Sequence, residues 1–190
     1  MSLMLNKRLR YELKHIQQNP DEHIRLELAP GDDLRRWKGS LKGPSDTPYE
    51  GYEFDFDINI GKDYPLAPPS IRMNTKIFHP NIHFKTGEIC LDILKKEWVP
   101  AWNLLSACRA ILLLLSDPAA DSPLNCDAGN MVRGGDMMAY NSMAKMYSIE
   151  FARKVVLRSG PLFYRVVILP YNLSCLFLNI FETFSASALL

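Results

Sequence analysis

The sequence is poor in the features that mark several large protein classes. Its four cysteines, at positions 90, 108, 126 and 175, form no CxxC pair, and no His/Cys cluster has zinc-finger spacing. A disulfide framework and a structural zinc site are therefore set aside. No metal is expected, and free thiols in a reducing compartment follow. Excess charge is missing too. With 22 Lys and Arg against 21 Asp and Glu, the net charge is +1, which gives no reason to expect nucleic acid or an anionic membrane as the main partner. The opening MSLMLNKRLRYELKH lacks the apolar run and small-residue cleavage site of a secretory signal.

What is present suits a soluble globular domain: 47% hydrophobic and 23% charged residues over 190 positions. That length gives room for one full domain plus an extension, and a domain of roughly 150 residues can bury about two thirds of its unfolded surface.

Residues 3–18 read as an amphipathic helix, with Leu5, Leu9, Leu13 and Ile16 on one face and Lys7, Arg8, Arg10 and Lys14 around the rest. After Asn19-Pro20 the period changes. Ile24, Leu26 and Leu28 alternate with polar residues, a turn follows at Pro30-Gly31, and 34–42 is a second strand candidate around Trp37. The clearest strand puts Tyr52, Phe54, Phe56, Ile58 and Ile60 on one face and Glu53, Asp55, Asp57 and Asn59 on the other, the mark of a sheet with one face covered. Ile71 and Met73 suggest a short fourth strand beyond the prolines of YPLAPPS. From 76 to 101 there is no sustained period, and so long an irregular stretch inside a compact domain is usually functional. Residues 103–116 predict a largely buried helix ended by Asp117-Pro118. A second irregular stretch runs to Gly134-Gly135. Asp136 then caps a last helix with Met137, Tyr140, Ala144, Tyr147 and Phe151 inward. Strands grouped before helices argue for an α+β fold: an N-terminal helix, a four-stranded antiparallel meander, an irregular segment and two C-terminal helices.

Residues 1–154 are thus expected to form the working domain, and 155–190 an apolar C-terminal extension of different character. Beyond Phe151 the only acidic residue is Glu182, and 166–181 is uncharged. That stretch is 16 residues long and broken by Pro170, Asn172 and Asn179, whereas a spanning helix needs roughly 20 apolar residues. Three readings stand: a segment unrelated to function, an extension that packs on the domain or a partner, and, least favoured, a marginal membrane anchor.

The chemistry points to Cys90. Most cysteines are small buried apolar residues, but Cys90 follows Lys85-Thr86-Gly87-Glu88 in the irregular segment, behind the His79-Pro80-Asn81 corner. The Asn81 amide can donate to an oxyanion, or hold the loop by bonding a backbone carbonyl. No acid or base close in sequence suggests a protease dyad. An ordinary free thiol, with a pKa of about 8.5, is already a few per cent thiolate at neutral pH. That suffices for thioester exchange, where the leaving group is itself a thiol.

HPNIHFKTGEICLDIL, then Trp98-Val99-Pro100 and DPAADSPL, with YPLAPPSI before the corner, resembles the core of ubiquitin-conjugating enzymes over about residues 3–153. The resemblance implies a ubiquitin-conjugating fold and a ubiquitin thioester on Cys90. It gives Asn81 oxyanion stabilisation or loop bracing, with His79, Pro80 and Asp92 shaping the site. Ser122 matches a gate position where many members carry aspartate, so a lysine acceptor would be less activated, or activated by phosphorylation at Ser122-Pro123. Arg8, Leu66, Pro100 and Ala101 match the surface that docks RING-type ligases. The implied partners are ubiquitin, its activating enzyme and such a ligase. No cofactor is implied, since ATP is used by the activating enzyme. One departure is visible: between Asn81 and Cys90 the chain has one residue more than the commonest pattern, so a longer loop is expected there.

A narrower resemblance, GEICLDIL followed by SPLN and AGNMVRGGDMMAY, is to the peroxisomal (peroxin) members of the family. It implies the import receptor as substrate, attachment to lysine or cysteine, and a membrane-anchored peroxin partner. The place implied is the cytoplasmic face of the peroxisome, peripherally held, or the cytosol. Against these stand a non-catalytic ubiquitin-binding scaffold of the same fold and a conjugating enzyme for another ubiquitin-like modifier.

Overall fold

The alternation of β3 (Tyr52–Asn59) organises the molecule. Phe54, Phe56 and Ile58 are fully buried while their neighbours face outward, and burial of each contributes about 1.5–3 kcal/mol. The computed structural model describes residues 3–31 and 33–155; the apolar tail beyond 155 lies outside them. Around β3 an antiparallel meander is laid in the order β1 (Ile24–Leu28), β2 (Arg36–Lys42), β3, β4 (Ser70–Met73). Register is fixed by pairs such as Leu41 with Phe54, Trp37 with Ile58, and Ile58 with Ile71. A one-residue slip would turn every one of these side chains to water. The second strand begins at Arg36 rather than 34, because Arg36 N–H donates to Asp33 O in a turn.

One continuous core joins Leu5 and Leu9 of α1 (Leu3–Gln18), the inner sheet face and the buried stripe of α2 (Leu104–Ser116). Asn103 and Ser106 cap α2 reciprocally, satisfying two of the N–H groups that a helix start leaves open. Along α2 the burial is less uniform than expected, since Leu113 is exposed.

Three helices follow the irregular segment rather than two. Within the stretch expected to be irregular, Cys126–Arg133 forms α3, capped by the Asn125 side chain accepting from Ala128 N–H. The last helix, α4 (Met137–Phe151), is capped by Asp136 as expected. Its inward face carries Tyr140, Ala144 and also Ser148, whereas Met137 points to solvent. A two-residue strand, β5 (Arg153–Lys154), pairs with Tyr52 and Glu53 at the start of β3. No helix among the described residues is long and apolar enough to cross a membrane.

Candidate functional site

The site is built on a corner locked from three sides. His79 is completely buried; its Nδ1 accepts from Asn81 N–H at 3.1 Å, so Nε2 carries the proton and donates to Leu114 O at 2.9 Å. Just before it, the Tyr49 hydroxyl donates to Phe78 O at 2.7 Å and so accepts from the Tyr140 hydroxyl at 2.8 Å. The corner is thereby fixed to α2 and α4.

Burial pushes the His79 imidazole down to about 4, against the opposing pull of the Leu114 carbonyl. In the unfolded chain a histidine titrates near 6.5, so between about pH 6.5 and 4 the unfolded state takes up a proton that the folded state refuses. The contribution of neutral His79 is therefore complete above pH 6.5 and lost on acidification, by on the order of 2 kcal/mol between pH 7.5 and 5. Urea unfolding at those two pH values measures it. That window lies above the ordinary carboxylate range, and a flat stability across it would contradict the assignment.

Asn81 and Cys90 are tied through the main chain: Cys90 N–H donates to Asn81 O at 2.8 Å. The longer loop between them closes on itself. Ile82 bridges Ile89, His83 N–H donates to Glu88 O, and Gly87 N–H donates back to His83 O. Gly87 has φ +66°, and a Cβ there would stand 1.9 Å from Met73 O, so only glycine fits. The loop turns within residues 83–88, and the separation of Asn81 from Cys90 is set by their hydrogen bond.

The Asn81 side chain is almost fully buried and fully engaged with one peptide unit. Its Nδ2 donates to Ala119 O at 2.7 Å and its Oδ1 accepts from Ala119 N–H at 2.9 Å. Of the two roles open to it, this geometry is that of a brace. Pro80 O accepts from both Leu124 and Asn125 N–H, at 2.8 and 3.0 Å. The loop carrying Ser122, which is exposed, is therefore suspended from the same corner at both ends.

Cys90 is half-exposed, unlike Cys108, which is buried in α2 with its thiol pushed up by desolvation. Cys126 is exposed at the start of α3. After Cys90 a single 3-10 turn, Asp92–Leu94, reverses the chain and brings Lys95 Nζ to 3.3 Å from Cys90 Sγ. Sequence reading missed this contact, because the segment has no period from which a turn could be read. Asp92 pairs with Lys96 at 3.2 Å.

Arg8, Leu66, Pro100 and Ala101 form a second cluster. Leu66 is 80% exposed, with Val99, Pro100 and Ala101 also at the surface. Trp98 Nε1 donates to Pro65 O at 2.8 Å, joining the two loops. Arg8 is not simply solvated: it donates to Pro100 O at 3.2 Å and Trp102 O at 2.6 Å, and its guanidinium lies 5.7 Å from the Tyr64 ring centroid. Behind it is Glu12, 3% exposed. One carboxylate oxygen accepts from Arg8 and the Tyr64 hydroxyl, and the other accepts from Leu104 N–H at 2.9 Å. Glu12 was not singled out from the sequence, although an acid on the stripe of Leu5, Leu9 and Ile16 was the available signal. Among the described residues no group of His, Cys, Asp and Glu could hold a metal ion.

A family profile described as ubiquitin-conjugating enzyme matches residues 8–148. The chain is 55% identical over 141 residues to the ubiquitin-conjugating enzyme E2 pex4 of Dictyostelium discoideum, covering 74% of this chain and 95% of the relative. It is 52% identical over 142 residues to the protein peroxin-4 of Arabidopsis thaliana, covering 74% and 90%. Among solved structures, the H. polymorpha ubiquitin-conjugating enzyme Pex4p, in complex with the soluble domain of Pex22p, superposes with a TM-score of 0.74. It is 33% identical, with 78% of this chain and 98% of that chain covered. The chain belongs to the ubiquitin-conjugating enzyme family, and Pex4-type enzymes are among its relatives.

Proposed function

We propose that the chain accepts ubiquitin as a thioester on Cys90 and passes it to a lysine or cysteine of a substrate, with a RING-type ligase docked on Leu66, Pro100, Ala101 and the Arg8 helix face. The observation that carries this is the half-exposed Cys90 thiol fixed to the Asn81 corner through its own N–H. In loading, the Cys90 thiolate attacks the thioester carbonyl of the charged activating enzyme, whose thiol leaves. One thioester replaces another, no cofactor of this chain takes part, and ATP is used upstream. Asn81 braces the rim through Ala119, and Ser122 stands at the gate without a carboxylate. A thiol acceptor needs less activation than an amine, which agrees with that serine.

The relatives named Pex4 and peroxin-4 support a peroxisomal enzyme, and the substrate proposed for it is the cycling import receptor, reached from the cytoplasmic side. The Pex4p complex with the soluble domain of Pex22p supports a peripheral attachment through a membrane-anchored peroxin. Residues 1–154 would carry all of this.

The test is loading of the purified full chain with activating enzyme, ATP and ubiquitin. A reductant-sensitive adduct is expected, absent in Cys90→Ala and converted to a reductant-resistant ester in Cys90→Ser. A reductant-sensitive adduct that persists in Cys90→Ala would make Cys126 or another thiol the nucleophile and end this reading.

A further inference from the structure

Phe78 and Phe84 flank the His79-Pro80-Asn81 corner, and both rest on one ring of α4. The Tyr147 centroid lies 5.5 Å from that of Phe78 and 5.4 Å from that of Phe84, the second contact being edge-on at 81°. Edge-to-face pairing follows the charge distribution of the rings, so it fixes their orientation as well as their contact. Lys76 closes the group. Its Nζ lies 5.7 Å from the Phe84 centroid and 4.9 Å from that of Phe151, so two rings share one cation.

Residues 82–89 form a closed unit with the hydrogen bond from Cys90 N–H to Asn81 O at its base. Ile82 and Ile89 are buried at that base. The limb that leads to Cys90 is held from β4, where Met73 N–H donates to Gly87 O at 2.9 Å. The limb that leaves Asn81 is held through a side chain. His83 turns its ring into its own loop, Nδ1 accepting from Thr86 N–H at 3.1 Å, and the half-buried Phe84 reaches α4. We propose that Phe84 is a positioning residue for acyl transfer, clamping the loop between Asn81 and Cys90 to Tyr147. The inference rests on thioester transfer through Cys90.

A thioester on Cys90 is presented at the base of this loop, so whatever steadies the loop steadies the carbonyl that an acceptor must reach. Without the Phe84 ring the outgoing limb keeps Ile82 and the base hydrogen bond but loses its hold on α4. Lys76 at the same time loses one of its two rings. A misplacement of about 1 Å can cost about 100-fold in rate, and with the base still tied a loss of about tenfold is expected. Phe84 acts through the loop rather than on the reacting atoms. Its removal therefore slows transfer to a thiol and to an amine by the same factor, and a second loss of the same clamp, at Tyr147, adds little.

The experiment charges the full chain and its Phe84→Ala, Phe84→Tyr, Tyr147→Leu and Phe84→Ala/Tyr147→Leu variants with ubiquitin. Single-turnover discharge to free cysteine and to free lysine is timed where urea unfolding shows each variant to be folded. Phe84→Leu takes the place of Phe84→Ala if alanine unfolds the chain. Discharge is expected to slow about tenfold in Phe84→Ala and to return to within about twofold of the parent in Phe84→Tyr, which restores the ring. The double variant should fall no more than about twofold below the slower single variant, since contacting residues that act together are not additive. Lower stability with unchanged discharge would make Phe84 a packing residue and overturn the proposal. Multiplied losses in the double variant, or a Phe84→Tyr as slow as Phe84→Ala, would overturn it too. A chain that loads and discharges at the parental rate without the ring overturns this proposal alone, whereas a parent chain that takes up no ubiquitin overturns the loading reading with it.

Discussion

Asn81→Ala is expected to load ubiquitin and then transfer it about 100-fold more slowly, while losing about 2 kcal/mol of stability. The two effects share one cause. The substitution removes both hydrogen bonds between the side chain and the Ala119 peptide, leaving a donor and an acceptor without partners. The loop that carries Ser122 is then held only by Pro80 O. A displacement of the rim by about 1 Å suffices for a rate loss of that size, because an acceptor must meet the thioester in a narrow range of positions. Single-turnover discharge to free lysine and to free cysteine gives the rate, and urea unfolding gives the stability. An amide that acted purely as an oxyanion donor would produce the rate loss with stability intact, and that pairing of results would overturn the bracing role.

The second large effect is expected far from the thiol. Glu12→Ala should destabilise the chain by about 3 kcal/mol, the low end of the range for breaking a buried ion pair, since Arg8 keeps some access to water. The Leu104 N–H would lose its acceptor and the Tyr64 hydroxyl its own. Arg8, no longer oriented from behind, would hold the Pro100 and Trp102 carbonyls less firmly. Binding to a RING domain should weaken along with stability, as followed by titration calorimetry and urea unfolding. Glu12→Gln, which retains an acceptor for Leu104 N–H, should cost roughly half as much. A loss under about 1 kcal/mol in Glu12→Ala would show that the cluster contributes little to the fold.

How far the fold was legible depended on periodicity. Strand β3 could be read because one of its faces is dry, so that Phe54, Phe56 and Ile58 alternate with acids. The first and last helices were legible for the same reason, at a period near 3.6. Helix α3 was not. It is eight residues long, and Gly129 within it looks like a breaker. The structure gives that glycine another reason: a Cβ there would lie 2.6 Å from the Pro123 ring, so the residue is a packing surface. The strand β5 has two residues and carries no period at all. Leu113 and Met137 were misplaced because apolar identity does not determine which way a residue faces.

The site divided along a similar line. Residues close in sequence, such as His79, Pro80 and Asn81, could be grouped from the motif they share. The partners that give them their geometry could not, since Ala119 is 38 positions from Asn81 and Leu114 is 35 from His79. Arg8 was read as one of the basic residues around the first helix and, by resemblance, as part of a docking surface, yet its hydrogen bonds reach 92 and 94 positions along the chain. Such contacts join irregular segments, where spacing carries no directional information.

The carbonyl of Pro80 takes two amide donors from the loop beyond Ser122, while the next residue grips Ala119 before it and Cys90 behind. In the proposed function, nucleophile and gate are thus bolted to a single joint rather than to separate supports. An acceptor that pushes the gate aside must load that joint, and the strain arrives at the sulfur it is about to relieve of its cargo. Loosening the rim to admit bulkier acceptors would by the same token blur the position of the thioester, so breadth of acceptor and sharpness of transfer trade against each other in this design.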